Sequence, residues 1–197
     1  MRFAELDAVT LDAFGTLLTL REPVVALAAA SGRPEADVAR AFEAEVEYYK
    51  PRSHKGRDAA SLAQLRSDCA GVFNDALGSA LTPEELVAAL EYEPLPGVPE
   101  ALTELQARGL ALAVVANWDC ALPEHLARTG LAPFFAAVVT SAEAGAPKPD
   151  PRPFLLAVER LSVDPARTLH VGDGGEDEQG ARAAGLRFAR APLSNLL

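Results

Sequence analysis

Cysteine is scarce. Cys69 and Cys120 are the only two in 197 residues, and neither sits at metal-ligand spacing. That excludes a disulfide framework and a cysteine-zinc site, and it predicts a reducing, cytoplasmic setting. Positive charge is also in short supply: 18 Lys and Arg stand against 28 Asp and Glu, for a formal charge of −10. Such a chain is not expected to bind nucleic acid, whose phosphates attract basic surfaces. No run is apolar and uncharged for the length of a membrane span, so no membrane association is expected. Glu5, Asp7 and Asp12 interrupt the start of the chain, where a secretory leader would need an unbroken apolar stretch. Internal repeats and low-complexity tracts are lacking too.

Apolar residues make up 49% of the chain, enough for a substantial core. Five short runs read as strands: Ala8–Leu11, Ala111–Ala116, Ala136–Thr140, Thr168–Val171 and Leu186–Ala189. They read as continuous apolar strands and not as alternating ones, the pattern of strands buried on both faces. Helical patterns separate the last four, at Pro99–Arg108, Ala121–Thr129, Arg152–Leu161 and Gln179–Ala184, several of them stopped by glycine. Alternation of this kind predicts an α/β fold with a doubly wound, mostly parallel five-stranded sheet. From about Pro23 to Tyr92 no strand is evident. Val38, Phe42, Glu45 or Val46, and Tyr49 fall at helical spacing, as do Leu62, Leu65, Cys69, Val72 and Ala76, and Thr82-Pro83-Glu84-Glu85 reads as a capped helix start. This predicts an all-helical cap over residues 19–93 inserted into a core of 1–18 and 94–197. The hinges are expected at Thr19–Pro23 and in the proline-rich Pro94–Pro99.

Open parallel sheets bind ligands beyond the carboxyl ends of their strands. Asp12, Asn117, Ser141 and Asp173 follow predicted strands directly. Three elements stand out: Leu11-Asp12-Ala13-Phe14-Gly15-Thr16-Leu17-Leu18, Gly145-Ala146-Pro147-Lys148-Pro149-Asp150-Pro151, and His170-Val171-Gly172-Asp173-Gly174-Gly175-Glu176-Asp177. Singly, each also reads as ordinary scaffolding: a capping acid, a solvated proline loop, an acidic helix start. Three in this order, each placed by a buried strand, point to a site.

These motifs resemble the haloacid-dehalogenase-like hydrolase superfamily over nearly the whole chain. "LDAFGTLL" is similar to its nucleophile motif, "GLALAVVANWD" to its second motif, "GAPKPDPRPF" to its lysine motif and "HVGDGGEDEQGARAAG" to its acidic motif. The subgroup it resembles includes the human haloacid dehalogenase-like hydrolase domain proteins, with a helical cap after the first motif. The resemblance implies a Rossmann-like core and a hydrolase in which Asp12 attacks as nucleophile, with Lys148 and Asp173 also catalytic. It assigns substrate contacts to Thr16, Ala116, Asn117 and Lys148. It assigns Mg²⁺ to Asp12, the backbone carbonyl of Phe14 and Asp173, with Asp177 holding the site through water or a supporting contact. The expected substrate is a small phosphate monoester or acyl phosphate, hydrolysed through an aspartyl-phosphate. Oligomeric state stays open.

Two positions depart from the phosphatase pattern. Phe14 stands where those enzymes place an acid, whose help is worth roughly 10²–10⁴ in rate. Ala116 stands where they place Ser or Thr, a contact worth about 1.5–3 kcal/mol. A 2-haloacid dehalogenase is the alternative, since those metal-independent enzymes carry an aromatic residue where Phe14 stands. They differ around Asp173, however, and Glu43 occupies the neighbourhood of their halide-binding arginine, with Arg40 the nearest candidate. A weakly active binding protein on the same core is a third reading. Among the remaining residues, His170 is expected in the core, His125 on a helix surface, Tyr49 in the cap core, and Arg52, His54, Lys55 and Arg57 in a solvated basic loop.

Overall fold

The computed structural model describes residues 5–193, so the extreme ends of the expected core, 1–4 and 194–197, lie outside the described residues. Five parallel strands form the central sheet: β1 (Ala8–Leu11), β4 (Ala111–Ala116), β5 (Ala137–Thr140), β6 (Thr168–Gly172) and β7 (Arg187–Arg190). Their order is β5-β4-β1-β6-β7. The chain steps outward from β1 through β4 to β5, then returns to the other side for β6 and β7. The order therefore reverses at β1, and a crevice at the strand carboxyl ends is the geometric result. In register, Leu11 pairs with Val114 on one side and Val171 on the other, so Asp12 emerges between the two neighbouring strands.

Alternate side chains of each strand go to opposite faces. Leu112, Val114 and Ala116 join Val9 and Leu11 under α5 (Val98–Ala107) and α6 (Leu122–Arg128). Ala113 and Val115 face the other way, against Phe154 and Ala157 of α8 (Arg152–Leu161) and Ala181 of α9 (Gly175–Ala183). Continuous apolar strands were the right signature for β1, β4, β5 and β6, whose faces are covered; β7, at the sheet edge, is only partly buried and carries the exposed Arg187 and Arg190. The helix expected at Gln179–Ala184 begins four residues earlier. Asp177 therefore lies in the first turn of α9, and acidic Glu176, Asp177 and Glu178 suit the positive end of its dipole.

Between β1 and β4 the chain builds α1 (Pro23–Ser31), α2 (Glu35–Tyr49), α3 (Ala59–Leu77) and α4 (Pro83–Ala88). They close around their own core of Leu27, Val38, Ala41, Ala70, Phe73, Leu77 and Leu86. On α3 the buried stripe runs through Leu62, Leu65, Cys69, Phe73 and Leu77; Val72 and Ala76 turn away from it. Thr82 and Glu85 form the expected reciprocal cap.

The two expected hinge segments are joined to one another. Leu18–Leu20 (β2) pairs antiparallel with Tyr92–Pro94 (β3), joining Leu18 to Pro94 and Leu20 to Tyr92. Leu95 N adds a bond of 2.9 Å to Leu17 O, and Arg21 bridges to Glu91 and Glu93. Three-residue strands are too short to show a period in sequence, and Pro94 argued against one. Pro94 is tolerated because this ribbon has only two strands, so it needs no donor on its outer edge. The basic loop is likewise structured: Lys50–Lys55 is a 3₁₀ turn, with Arg52 stacked 4.0 Å over the Tyr48 ring and bonded to the Tyr48 carbonyl. The backbone bond from Cys120 N to Gly56 O, 2.8 Å, joins this segment to the sheet layer.

Candidate active site

Asp12 leaves the end of β1 almost fully buried, at 7% exposure. Lys148 comes from the loop between α7 (Ser141–Ala144) and α8, and is buried beside it. Its Nζ donates to Asp12 Oδ1 at 2.5 Å, to Asp177 Oδ1 at 2.5 Å and to the Val115 carbonyl at 3.1 Å. All three ammonium donors are thereby used. Asn117 fixes the loop that carries the lysine: its Oδ1 accepts from Lys148 N at 2.6 Å, and its Nδ2 donates to Lys148 O at 3.1 Å. The predicted roles of Asn117 and Lys148 are thus linked in space, because the amide locks the backbone whose side chain reaches Asp12.

Asp177 is held from three directions. Besides Lys148, His170 Nε2 approaches Oδ1 at 3.1 Å and Gly174 N donates to Oδ2 at 3.0 Å. Burial keeps His170 low, at about 4, so its ring is neutral near pH 7. A carboxylate only accepts, so Nε2 carries the proton, and Nδ1 accepts from the Thr10 hydroxyl at 2.9 Å. His170 is in the core as expected, yet it also ties β1 to the acidic motif. That link had no sequence signal, since it depends on the alignment of β1 with β6. Glycine at 172 is required here: a Cβ would lie 2.4 Å from Asp177 Cγ.

Electrostatics follow from this geometry. Burial pushes Asp12 up to about 6 despite the opposing charge of Lys148, and Asp177 adds repulsion. Burial works against Asp177 as well, but the His170 bond and the Lys148 charge outweigh it and hold that carboxyl well below its ordinary range. Burial would strip the proton from Lys148; the two aspartates reverse this and keep it charged.

Asp173 is exposed, and Arg190 Nη1 donates 2.8 Å to its carbonyl. Gly15, at φ +83°, sits against its carboxylate, where a Cβ would fall 2.3 Å from Oδ2. Carboxylate oxygens of Asp12, Asp173 and Asp177 lie within 4.8 Å of one another. Three carboxylates facing one ammonium leave an excess of negative charge, and an all-oxygen donor set suits a hard divalent cation such as Mg²⁺. Thr16 is buried close by in sequence, and its Oγ1 has no hydrogen-bond partner among the described residues. An uncommitted buried hydroxyl is costly unless a ligand uses it. The residues present therefore fit the cation and an oxygen-rich substrate group. Ala116, by contrast, turns its methyl into the sheet core and offers only backbone to a substrate.

A cavity that Phe14 and Asn117 share with the site is bounded also by β2, β3, α2, α3, α4 and the 117–125 segment. Phe14 is 45% exposed and lines it. Tyr49 does not enter the core of the helical insertion. Its hydroxyl donates 2.8 Å to Asp119 across the cavity, because the last turn of α2 projects past the insertion's own core. Nor is His125 a surface residue: half-buried, its ring packs 4.5 Å from Tyr92 and 5.8 Å from Trp118. Arg40, the candidate halide ligand, is 72% exposed and paired with Asp37 on the outer side of α2.

A doubly wound sheet with a carboxylate cluster around a buried lysine at its switch point defines a Rossmann-like α/β core with a helical insertion. The chain belongs to the haloacid dehalogenase-like hydrolase family, whose model matches residues 6–185. It is 32% identical to haloacid dehalogenase-like hydrolase domain-containing protein 3 of Mus musculus, over 92% of this chain and 80% of that protein. It is 31% identical to N-acetylmuramic acid 6-phosphate phosphatase of Pseudomonas aeruginosa, over 96% and 83%. Among solved structures it resembles L-2-haloacid dehalogenase from Xanthobacter autotrophicus with chloropropionic acid covalently bound, with a TM-score of 0.75 at 27% identity over 94% of this chain and 77% of that one. No helix among the described residues is long and apolar enough to cross a membrane.

Proposed function

We propose that the chain is a Mg²⁺-dependent phosphatase for a small phosphate monoester or acyl phosphate, with Asp12 as nucleophile. The observation that carries this reading is the gathering of Asp12, Asp173 and Asp177 around one lysine, an arrangement with more negative charge than Lys148 offsets. In the first step an Asp12 oxygen attacks phosphorus, the bond to the leaving oxygen breaks, and an aspartyl-phosphate forms. Lys148 holds the attacking carboxylate in place and offsets charge on the transferring group. Thr16 Oγ1 and Asn117 serve the phosphoryl oxygens. Asp12, Asp173 and the Phe14 carbonyl would hold Mg²⁺, and Asp177 would steady the site while positioning Lys148. When bound, the cation supplies Lewis-acid stabilisation of phosphoryl charge. Phe14 donates no proton, so the leaving group departs as its anion. Water then attacks the aspartyl-phosphate, releasing phosphate and regenerating Asp12. Residues 19–93 act as a cap that encloses the leaving group above a core of 1–18 and 94–197.

Phe14, projecting into an apolar cavity, favours one rival, a 2-haloacid dehalogenase, since halide leaves without a proton. The outward pairing of Arg40 with Asp37 weighs against it. One experiment separates them: phosphate release from acetyl phosphate and chloride release from chloroacetate, each with Mg²⁺ and after exhaustive EDTA treatment. Mg²⁺-dependent phosphate release that disappears in Asp12→Asn is expected. Phosphate turnover surviving EDTA overturns the metal role, and chloride release establishes the rival. An Asp12→Asn protein that keeps full activity removes the nucleophile assignment.

A further inference from the structure

The cavity that Phe14, two residues after Asp12, and Asn117, which holds the Lys148 loop, help to line has a volume of about 180 Å³. Apolar cavities on the order of 150 Å³ accept benzene. Its walls include Phe14, Phe42, Leu65, Leu90, Tyr92 and Trp118, and the Tyr92 and Trp118 ring centroids stand 5.2 Å apart. Two acids line it and both are buried, Glu45 and Asp119. Asp119 is spent on the Tyr49 hydroxyl and on Ala121 N. Glu45, at 7% exposure, lies beside the Cys69 thiol with no cation paired to it among the described ion pairs, and burial raises it toward its neutral form. The cations of the lining are less enclosed: Lys50 is exposed and Arg66 half-buried. A charged substituent on the leaving group would therefore be desolvated against aromatic walls with no fully buried cation in the lining to pair with it. An uncharged ring would meet a surface that desolvates it at little cost.

A second observation points the same way. Phe14 removes the proton donor that a basic alkoxide needs, while aryloxide and aroyl carboxylate anions depart without one. We infer that the substrate is an aryl or aroyl phosphate, its uncharged ring seated among Tyr92, Trp118 and Phe42 while its phosphoryl group meets Asp12. The inference rests on the phosphatase reading and names its substrate class.

Benzoyl and acetyl phosphate test it, because their leaving carboxylates have similar basicity and differ in the ring. With the full chain and Mg²⁺, kcat/KM for benzoyl phosphate should exceed that for acetyl phosphate by roughly 30-fold. A para-carboxylate on the benzoyl ring should remove most of that gain. Phenylphosphonate should bind Asp12→Asn protein about tenfold more tightly than methylphosphonate by calorimetry. Equal affinity of the two phosphonates, or a benzoyl-to-acetyl ratio near one with Mg²⁺-dependent phosphate release intact, overturns the inference and leaves the phosphatase reading standing. No Mg²⁺-dependent phosphate release from either acyl phosphate overturns the phosphatase reading, and the substrate assignment with it.

Discussion

Lys148 Nζ stands 2.5 Å from Asp12 Oδ1 with both side chains almost out of solvent. The same ammonium is shared with Asp177. Replacing Lys148 by Met would leave two buried carboxylates facing each other without compensation, a change that costs roughly 3–5 kcal/mol. For a chain of this size that corresponds to a fall in Tm of roughly 6–20 °C. Differential scanning calorimetry checks it. A K148M protein melting with the wild type would mean the ammonium is not what holds those acids together.

Asp12 must be ionised to attack, and its carboxyl is pushed up to about 6 by burial. In the absence of added cation, reactivity of the Asp12 carboxylate should therefore rise with pH and level off above about 6. Bound Mg²⁺ stabilises the anion, so kcat/KM measured with saturating Mg²⁺ should turn down only at lower pH. The pH profile at two Mg²⁺ concentrations gives the answer. Coincident midpoints would separate the metal from Asp12.

His170 sits at about 4 in the folded protein, below the ordinary histidine value near 6.5. Between those two values the unfolded chain binds the proton and the folded one does not. Stability from this group is thus complete above about 6.5 and lost as pH falls toward about 4. Asp12, raised to about 6, acts in the opposite direction between the ordinary Asp value and that pH. His170→Gln removes one of the two opposing slopes. Its stability should fall less than wild type between pH 7 and pH 4.5 in urea titrations. An unchanged difference would contradict the neutral, proton-donating assignment of Nε2.

Most of the sheet was legible in the sequence, and the reason is visible in residues such as Val114 and Val115. They face opposite layers, both covered, so the strand had to be apolar throughout. Asp12 and Asp173 could be picked out because each is an acid directly after a buried strand, whereas Lys148 and Asp177 were reached through the resemblance of their motifs to the family's. The bond of His170 to Asp177 could not be picked out, since nothing local marks a core histidine as a link between strands. The β2–β3 ribbon was missed because its pairing joins residues more than seventy positions apart. Glu45 was read as a packing position on α2; only the assembled cavity shows its carboxyl among apolar walls.

Gly15 combines φ +83° with close approach to Asp173. Gly15→Ala should cost about 1–2 kcal/mol for the left-handed backbone alone and displace the Asp173 carboxylate. Mg²⁺ affinity, read by calorimetry, should drop at least tenfold. Asp173→Asn should weaken Mg²⁺ as strongly with little change in Tm, because that side chain is exposed. Undiminished Mg²⁺ affinity in both variants would remove Asp173 from the metal set.

Phe14→Asp restores an acid two residues after Asp12. Phe14 is half exposed, so the exchange empties no core. Turnover of an alkyl phosphate should rise at least tenfold relative to an aryl phosphate, and the dependence of rate on leaving-group basicity should flatten. An unaltered slope across the series would show that protonation is not what Phe14 withholds.

The antiparallel pairing of Leu18–Leu20 with Tyr92–Pro94 gathers both chain crossings into a single laced strip. Separate tethers would let the helical layer slide or rotate over the sheet. The pairing fixes the two crossings against one another, and because Tyr92 lies on the strip and also lines the cavity, the same strip that joins the layers serves as cavity wall.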